Sequence, residues 1–344
     1  MSWDTESRRI ERLKMYRPRA AAQQSDAWLS GMLAAAKQDP RHEEHAGRFA
    51  SALSTWAGIQ RTLGQLGDAV LATQQALDIL SPQLLSTRAG FACQRAAFLL
   101  GDLQDIDAGL RLAQQAVAIH GQTPGGRHHV GVSSAGVGAY ELFYRRAFAD
   151  SRAALRRALG ALPEGDDVVF VGAHHGIAYS YLMEGRLSEA LEALLSLRQR
   201  RPNLEPDQDL RLRWLEAEIA AAAGDHGRAL AHYEEVFTRG LGIVEVQGAI
   251  LVSFDVARIL LERPTSAGEW WSWNRRLGSL AEKLTRAEQA ALGPYLDALA
   301  AGDLDRGLLD HTTVAFKRAS NRMLLGMGRR GAAGRPELGG QFAA

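Results

Sequence analysis

The sequence predicts an all-α protein in which helical hairpins stack into an α-solenoid. Three observations carry this. Apolar residues recur at spacings of three and four along most of the 344 residues, the period of a helix with one buried face. Alternating apolar and polar runs are nearly absent, and β-branched clusters such as Val168, Val169, Phe170 and Val171 are short. A glycine or arginine interrupts the helical pattern at positions 67, 101, 146, 185 and 224, which are 34, 45, 39 and 39 residues apart. Recurrence at about 20–50 residues signals a stack of repeats.

The elements follow in order. Asp4 or Thr5 can cap a short basic helix that ends before Pro18, and Ser25 can cap a second one ending near Pro40. Five hairpins come next. Gly67 precedes a helix with Ala69 and Ala76; Gly101 precedes Ala108 and Ala116; Arg146 precedes Ser151 and Ala158. Gly185 precedes Ala190, and Gly224 precedes Ala229 and Tyr233. Glycine costs about 1 kcal/mol relative to alanine inside a helix, so Gly185 within "YLMEGRLSEALEALL" reads as a turn between two helices. The small residues belong where paired helices come closest. Past Pro264, "SAGEWWSWNRRLGSLAEKL" reads as an amphipathic helix, and Thr285 with Glu288 forms a capping-box pattern opening another. Gly302 marks the turn of a degenerate last hairpin. These readings divide the chain into flanking helices over 1–41, hairpins over 42–263, C-terminal helices over 264–325 and a glycine-rich tail over 326–344 with too little to bury to fold.

Ala178, Tyr181, Gly185, Ala190, Leu194 and Pro202, and then Ala217, Gly224, Ala229 and Tyr233, resemble the tetratricopeptide repeat, a helical hairpin of about 34 residues. The likeness spans roughly residues 42–240. The unit with Trp56 and Gly67 is two residues short at its turn, and the unit around Gly101 is two residues long. Resemblance to that family implies that the first helix of each hairpin lines a concave groove for a peptide or a partner's helix. Carried over position by position, the groove residues are Arg61 and Gln65, Arg95 and Phe98, Tyr140 and Tyr144, His175, Tyr179 and Met183, and Trp214 and Glu218. Aromatics mixed with a few charges suit an interface.

Composition narrows the function. Forty basic residues against 39 acidic ones leave a net charge of +1, with no global attraction to nucleic acid or to acidic membranes. The basic N-terminal residues Arg8, Arg9, Arg12, Lys14, Arg17 and Arg19 are interspersed with Asp4, Glu6 and Glu11 and read as a solvated helix. No apolar run approaches the roughly 20 residues of a membrane span. The basic start has no apolar segment behind it, unlike a secretory signal, and a lone cysteine fits a reducing compartment, so the cytoplasm is the expected location. No helix-turn-helix with a basic recognition helix stands out.

Chemistry-bearing groups receive structural readings. His42 and His45 share a helix face at a spacing zinc can use, yet sit in a charged helix start, and neither metal nor cofactor is expected. Adjacent His174 and His175 point different ways. His120, His128 and His129 fall in or beside "GQTPGGRHHVGVSSAGVG", residues 121–138, which reads as a mobile loop between repeats. It lacks the Lys-Ser/Thr of a phosphate loop, the strand of a dinucleotide fold and the spacing of a nucleophile elbow around Ser133. Cys93 faces inward as a structural thiol, and of Trp270, Trp271 and Trp273 the first and third share a face. No catalytic constellation emerges. The expected function is a non-catalytic adaptor or regulatory subunit binding a protein or peptide; the alternative is a sensor that binds a small molecule or signalling peptide.

Overall fold

The computed structural model describes residues 6, 9, 10, 13, 14, 17–38, 43–81, 86–162, 167–201, 203–240, 246–262 and 267–319. Among them there is no strand, and the chain is all-α. Asp4, Thr5, His42, the 326–344 tail and the side chains of Trp270 and Trp271 lie outside the described residues. The first long helix is α1 (Pro18–Gln38). Six hairpins follow: α2 (Glu43–Thr62) with α3 (Leu66–Leu80), α4 (Thr87–Asp102) with α5 (Ile106–Gln122), and α6 (Arg127–Tyr140) with α7 (Phe148–Ala161). Next are α8 (Asp167–Met183) with α9 (Leu187–Arg200), α10 (Pro206–Ala222) with α11 (His226–Gly240), and α12 (Val246–Glu262) with α13 (Ala267–Ala281). Helices α14 (Arg286–Ala301) and α15 (Arg306–Ala319) complete the order.

The repeat is more regular than the spacing of glycines suggests. Left-handed residues close the first five hairpins at Gly64, Gln104, Arg146, Gly185 and Gly224, so successive turns lie 40, 42, 39 and 39 residues apart. The turns expected at Gly67 and Gly101 are therefore displaced: Gly67 sits in the first turn of α3 and Gly101 in the last turn of α4. Four of the five turns share one bonding scheme. The amide after the left-handed residue donates to the carbonyl five positions back, as in Arg186 to Tyr181 at 2.9 Å, and the left-handed residue donates to the carbonyl three back, as in Gly185 to Leu182 at 2.9 Å. Both bonds satisfy carbonyls that the helix end leaves open.

Small residues stand at fixed distances from these turns. Seven before them are Ala57, Ala97, Ala178 and Ala217; five after them are Ala69, Gly109, Ser151, Ala190 and Ala229. All are buried, and a Cβ on Gly109 would lie 2.8 Å from the Ala97 carbonyl oxygen across the hairpin. Close packing of the helix backbones leaves no room for more.

The segment 121–138 departs from its loop reading. Residues 127–140 form α6, the first helix of the third hairpin. Its glycines serve close contact: a Cβ on Gly138 would come 2.6 Å from Leu155, one on Gly136 would meet the end of the Gln94 side chain, and one on Gly131 would come 2.9 Å from Leu162. A five-residue π-helical turn (Glu141–Arg145) continues α6, and Ala147 donates to the Glu141 carbonyl six residues back. Ser25 also departs from its reading as a cap. Helix α1 begins at Pro18, whose fixed φ suits a first turn, and Ser25 is buried inside the helix with its hydroxyl donating to the Ala22 carbonyl at 2.8 Å. Thr285 and Glu288 do form a capping box on α14, and Gly302, left-handed at φ 76°, ends it.

The two ends of the described chain meet. Arg19 in the first turn of α1 donates to Glu288 in the first turn of α14 at 2.7 Å, across 269 positions of sequence. The stack thus winds back on itself.

Candidate functional site

Each first helix touches the next first helix, α2 on α4, α4 on α6, α6 on α8 and α8 on α10, whereas the second helices make their main contacts with the first helices on either side of them. The first-helix layer is the shorter one and lies inside the curve. The candidate groove residues are all on first helices or the π turn, apart from Gln65, which is exposed at the first hairpin's turn.

Arg61, Phe98, Tyr140 and Tyr144 come together where α2, α4 and the π turn meet. Arg61 donates to Asp102 Oδ2 at 2.9 Å and to the Tyr144 hydroxyl at 3.1 Å, and its guanidinium lies 5.4 Å from the centre of the Phe98 ring. The Tyr144 hydroxyl bonds Asp102 and packs its ring 4.8 Å from Tyr140. Burial raises the Asp102 carboxyl and the Tyr144 hydroxyl above their ordinary values, with Arg61 opposing both shifts. Tyr140 is fully buried, and its hydroxyl, pushed up to about 12 by burial, donates to the Ile106 carbonyl at 2.9 Å. The extra residue of the π turn is the cause. It rotates everything upstream by about 100°, which sends Tyr140 into the seam between hairpins and leaves the small, partly exposed Ala139 in its place.

A second group lies farther along. Tyr179 stacks on His175, with ring centres 6.3 Å apart and planes 10° from parallel, and packs against Phe143 at 6.2 Å. Met183 joins the same apolar cluster from the end of α8. His175 and Tyr179 are buried, while Phe143 on the π turn is 45% exposed. Sequence reasoning passed over Phe143 and Asp102. A turn at 104 in place of 101 would have put Asp102 two residues before it, and the turn already read at 146 puts Phe143 three residues before it, beside the groove positions.

Trp214 and Glu218 form a third group at the C-terminal end. Trp214 Nε1 donates to Asp255 Oδ2 at 3.3 Å, and Arg258 bridges Asp255 at 2.8 Å. Helix α15 covers this end, with Phe316 5.7 Å from Phe254 and Lys317 attracted to both Asp255 and Glu218. Burial raises the Asp255 carboxyl, against the pull of Arg258, and lowers the Lys317 ammonium. Arg95 stands apart, donating to the Ser54 hydroxyl of α2 at 3.3 Å.

Of the remaining groups, His120, Ser133 and Cys93 are interior, and His45, His128, His129 and Trp273 are partly buried. His120 is fully buried, with Nδ1 2.5 Å from Ser133 Oγ and Nε2 3.1 Å from the Thr87 carbonyl. The carbonyl accepts from Nε2–H, so Nδ1 accepts from the serine hydroxyl. His128 and His129 lie on α6, and the His129 ring is 5.4 Å from His120. Cys93 is buried, which pushes its thiol up. His45 lies in α2, and the described residues contain no group of three side chains able to hold a metal ion. Trp273 packs edge-on against Phe237 at 5.1 Å. No helix among the described residues is long and apolar enough to cross a membrane.

No protein-family model and no curated protein matches the sequence. Solved structures do. The apo form of RapI superposes with a TM-score of 0.53 at 11% identity, covering 88% of this chain and 82% of its own. The Rap conjugation gene regulator of plasmid pLS20, solved in complex with the Phr* peptide, gives 0.51 at 15% identity and covers 84% and 79%. A tetratricopeptide repeat protein from Parabacteroides merdae gives 0.47 at 14% identity, covering 91% and 98%. With the helices paired as described and a small buried residue five positions after each of the five turns, the chain is a tetratricopeptide-like helical solenoid.

Proposed function

We propose that this chain is a non-catalytic interaction module, an adaptor or regulatory subunit of the cytoplasm, whose inner face takes a segment of a partner protein or a peptide. The observation that carries the reading is Phe143. A large ring, 45% exposed, stands on the first-helix side of the stack beside Tyr179, which in turn stacks on His175, at the one π turn among the described residues. Solitary exposed rings are common, but π turns concentrate at functional positions, and aromatic anchors dominate interfaces. The non-catalytic part of the reading is supported by the sealing of the reactive groups. Ser133, His120 and Cys93 have almost no surface through which a substrate could reach them. A sensor of signalling peptides is the second reading, favoured because the Rap regulator of plasmid pLS20 was solved with a peptide bound.

The test is a paired one. Phe143→Ala removes an exposed ring, so its thermal melt should overlay the parent. Truncating an anchor at the centre of an interface costs about 2 kcal/mol or more, roughly a 30-fold loss of affinity. A stoichiometric partner captured by the parent chain should therefore be lost from Phe143→Ala. Equal capture by both proteins would sink this site.

A further inference from the structure

One seam of the inner layer carries polar groups where later seams are apolar. Counted from the left-handed residue of each turn, Asp102 and Tyr144 stand two positions before it and Arg61 three before. In the fourth and fifth hairpins the same two positions hold Leu182 with Met183 and Ala221 with Ala222. Stacking therefore does not require polar groups there. Asp102 keeps 3% of its side-chain surface and Arg61 18%, so the pair is largely out of water. Withdrawing two charges from water costs about as much as their attraction returns, so what such a pair supplies is a fixed geometry more than stability.

The geometry fixed here is that of Tyr144. Its hydroxyl donates to Asp102 and accepts from Arg61 Nη1 at 3.1 Å, so one oxygen ties the π turn to α4 and α2 at once. Its ring lies over Gly101, where a Cβ would come 2.8 Å from it, with the Phe98 ring 6.0 Å and the Tyr140 ring 4.8 Å away. Burial raises the phenol further than Arg61 lowers it, so it remains a donor across the physiological range. On the other side of Phe143, Leu142 is buried in one apolar cluster with Tyr179 and Leu194, and Glu141 is buried and held by Arg145 at 2.9 Å. Phe143 is thus an exposed ring between pinned neighbours.

We infer that Tyr144, held by Asp102 and Arg61, is the positioning residue of the Phe143 anchor: the three groups lock the extra residue of the π turn and so fix where the exposed ring points. This rests on the interaction-module reading above and adds how its anchor is presented. The extra residue is the freedom that needs locking. A π turn can pass its extra residue to the neighbouring turn, and a shift of one position along a helix swings a side chain by about 100°. Such a swing would take Phe143 from its place beside Tyr179. An anchor that must be ordered when the partner arrives weakens binding about three- to tenfold, whereas one already locked does not.

The experiment places 4-fluorophenylalanine at position 143 alone in the full chain and reads its fluorine NMR line. Tyr144→Phe removes only the hydroxyl, and the line should shift or split while helicity by circular dichroism stays the same. Asp102→Asn keeps the shape but one acceptor oxygen in place of two, and should move the line in the same direction. Tyr295→Phe is the control. It loses a buried hydroxyl bonded to Ser253, so stability should fall comparably with the line unmoved. A line that stays at the parent's position in Tyr144→Phe, or that moves equally in Tyr295→Phe, overturns the inference. Twelve-residue peptides selected on phage against the parent, measured by fluorescence anisotropy, give the second readout. Tyr144→Phe should weaken them about three- to tenfold, and should weaken them no further once Phe143 is alanine, because the lock acts through the ring. Additive losses would overturn the inference too. Peptides indifferent to Phe143→Ala, alongside a line that moves in Tyr144→Phe, would overturn the module reading of this site and leave the lock standing.

Discussion

His175 touches Tyr179, Arg211 acts on it from α10, and almost none of its surface reaches water. An imidazole in that setting resists protonation. Burial holds His175 well below the ordinary value, takes its neighbour His174 down to about 4 with help from Arg200, and lowers His120 although the Thr87 carbonyl pulls the other way. In the unfolded chain each titrates near about 6.5. Each folded value is depressed, so the unfolded state takes up protons first as pH falls. The stability due to neutral histidine is complete above about pH 7 and is lost progressively from about 6.5 downward toward 4. Urea unfolding at pH 7.5 and 5.5 should show a loss of stability, to which His174, at about 4 in the folded chain, contributes about 1 kcal/mol. A His175→Leu variant should lose less over the same interval, and because it keeps Asp102 and Asp255, whose raised values act in the opposite sense, the comparison isolates the imidazole. An identical drop in both proteins would contradict the burial argument. That the adjacent histidines diverge was legible from helical geometry, since His174 turns to Phe170 and His175 to Tyr179. That both would be buried was not, because burial depends on which first helix lies alongside.

Within an element, glycine answers to two different demands, and the sequence does not label which. Gly64 and Gly185 adopt φ near 75°, where a Cβ is strained, whereas Gly101 and Gly138 are helical and make room for the Tyr144 ring and for Leu155. Gly67 does neither: it is exposed, helical and has nothing within 4 Å of a Cβ. The register therefore predicts opposite signs three residues apart. Gly64→Ala should lose about 1 kcal/mol to the left-handed strain, and Gly67→Ala should gain about 0.5 kcal/mol from helix propensity. Gln104, left-handed at φ 67° without being glycine, gives the converse. Gln104→Gly should be neutral or stabilising by up to about 1 kcal/mol, the relief of strain being partly offset by a looser unfolded chain. Urea midpoints of the three variants decide it; a stabilising Gly64→Ala would return the turn to Gly67. Helix content, hairpin pairing and the turns at 146, 185, 224 and 302 could all be read from apolar period and small residues. Helix α6 was missed because its glycines look like a loop, although a turn at Arg146 demands a first helix before it. The candidate site suffered from the same source: one extra residue in the π turn was enough to move Tyr140 from the groove to the interior.

For the molecule as a whole, the decisive feature is that the stack returns to its own beginning. Nothing local encodes this. Each hairpin adds a small rotation set by side-chain sizes along its seam, and only the sum brings α1 to α14. The contact that results is unequal. Along the stack, neighbouring hairpins share a continuous apolar core, such as the cluster from Leu210 to Phe316. At the closure, the bond described is ionic, from a partly exposed Arg19 to a fully buried Glu288 that also accepts from the Thr285 amide at 2.8 Å and hydroxyl at 2.9 Å. Glu288 is anchored by its own cap, and Arg19 is the exchangeable half. Arg19→Glu should set a carboxylate against a buried carboxylate and part the two ends while leaving every hairpin intact. Small-angle scattering should then report a larger radius of gyration and a longer maximum dimension at unchanged helicity by circular dichroism. Arg19→Lys, which keeps the charge, should retain most of the closure. The parent should itself open partway in 1 M salt, where the screening length is about 3 Å. Scattering curves of the parent and Arg19→Glu that superimpose at low and high salt would mean that apolar packing, and not this ion pair, holds the ends of the solenoid together.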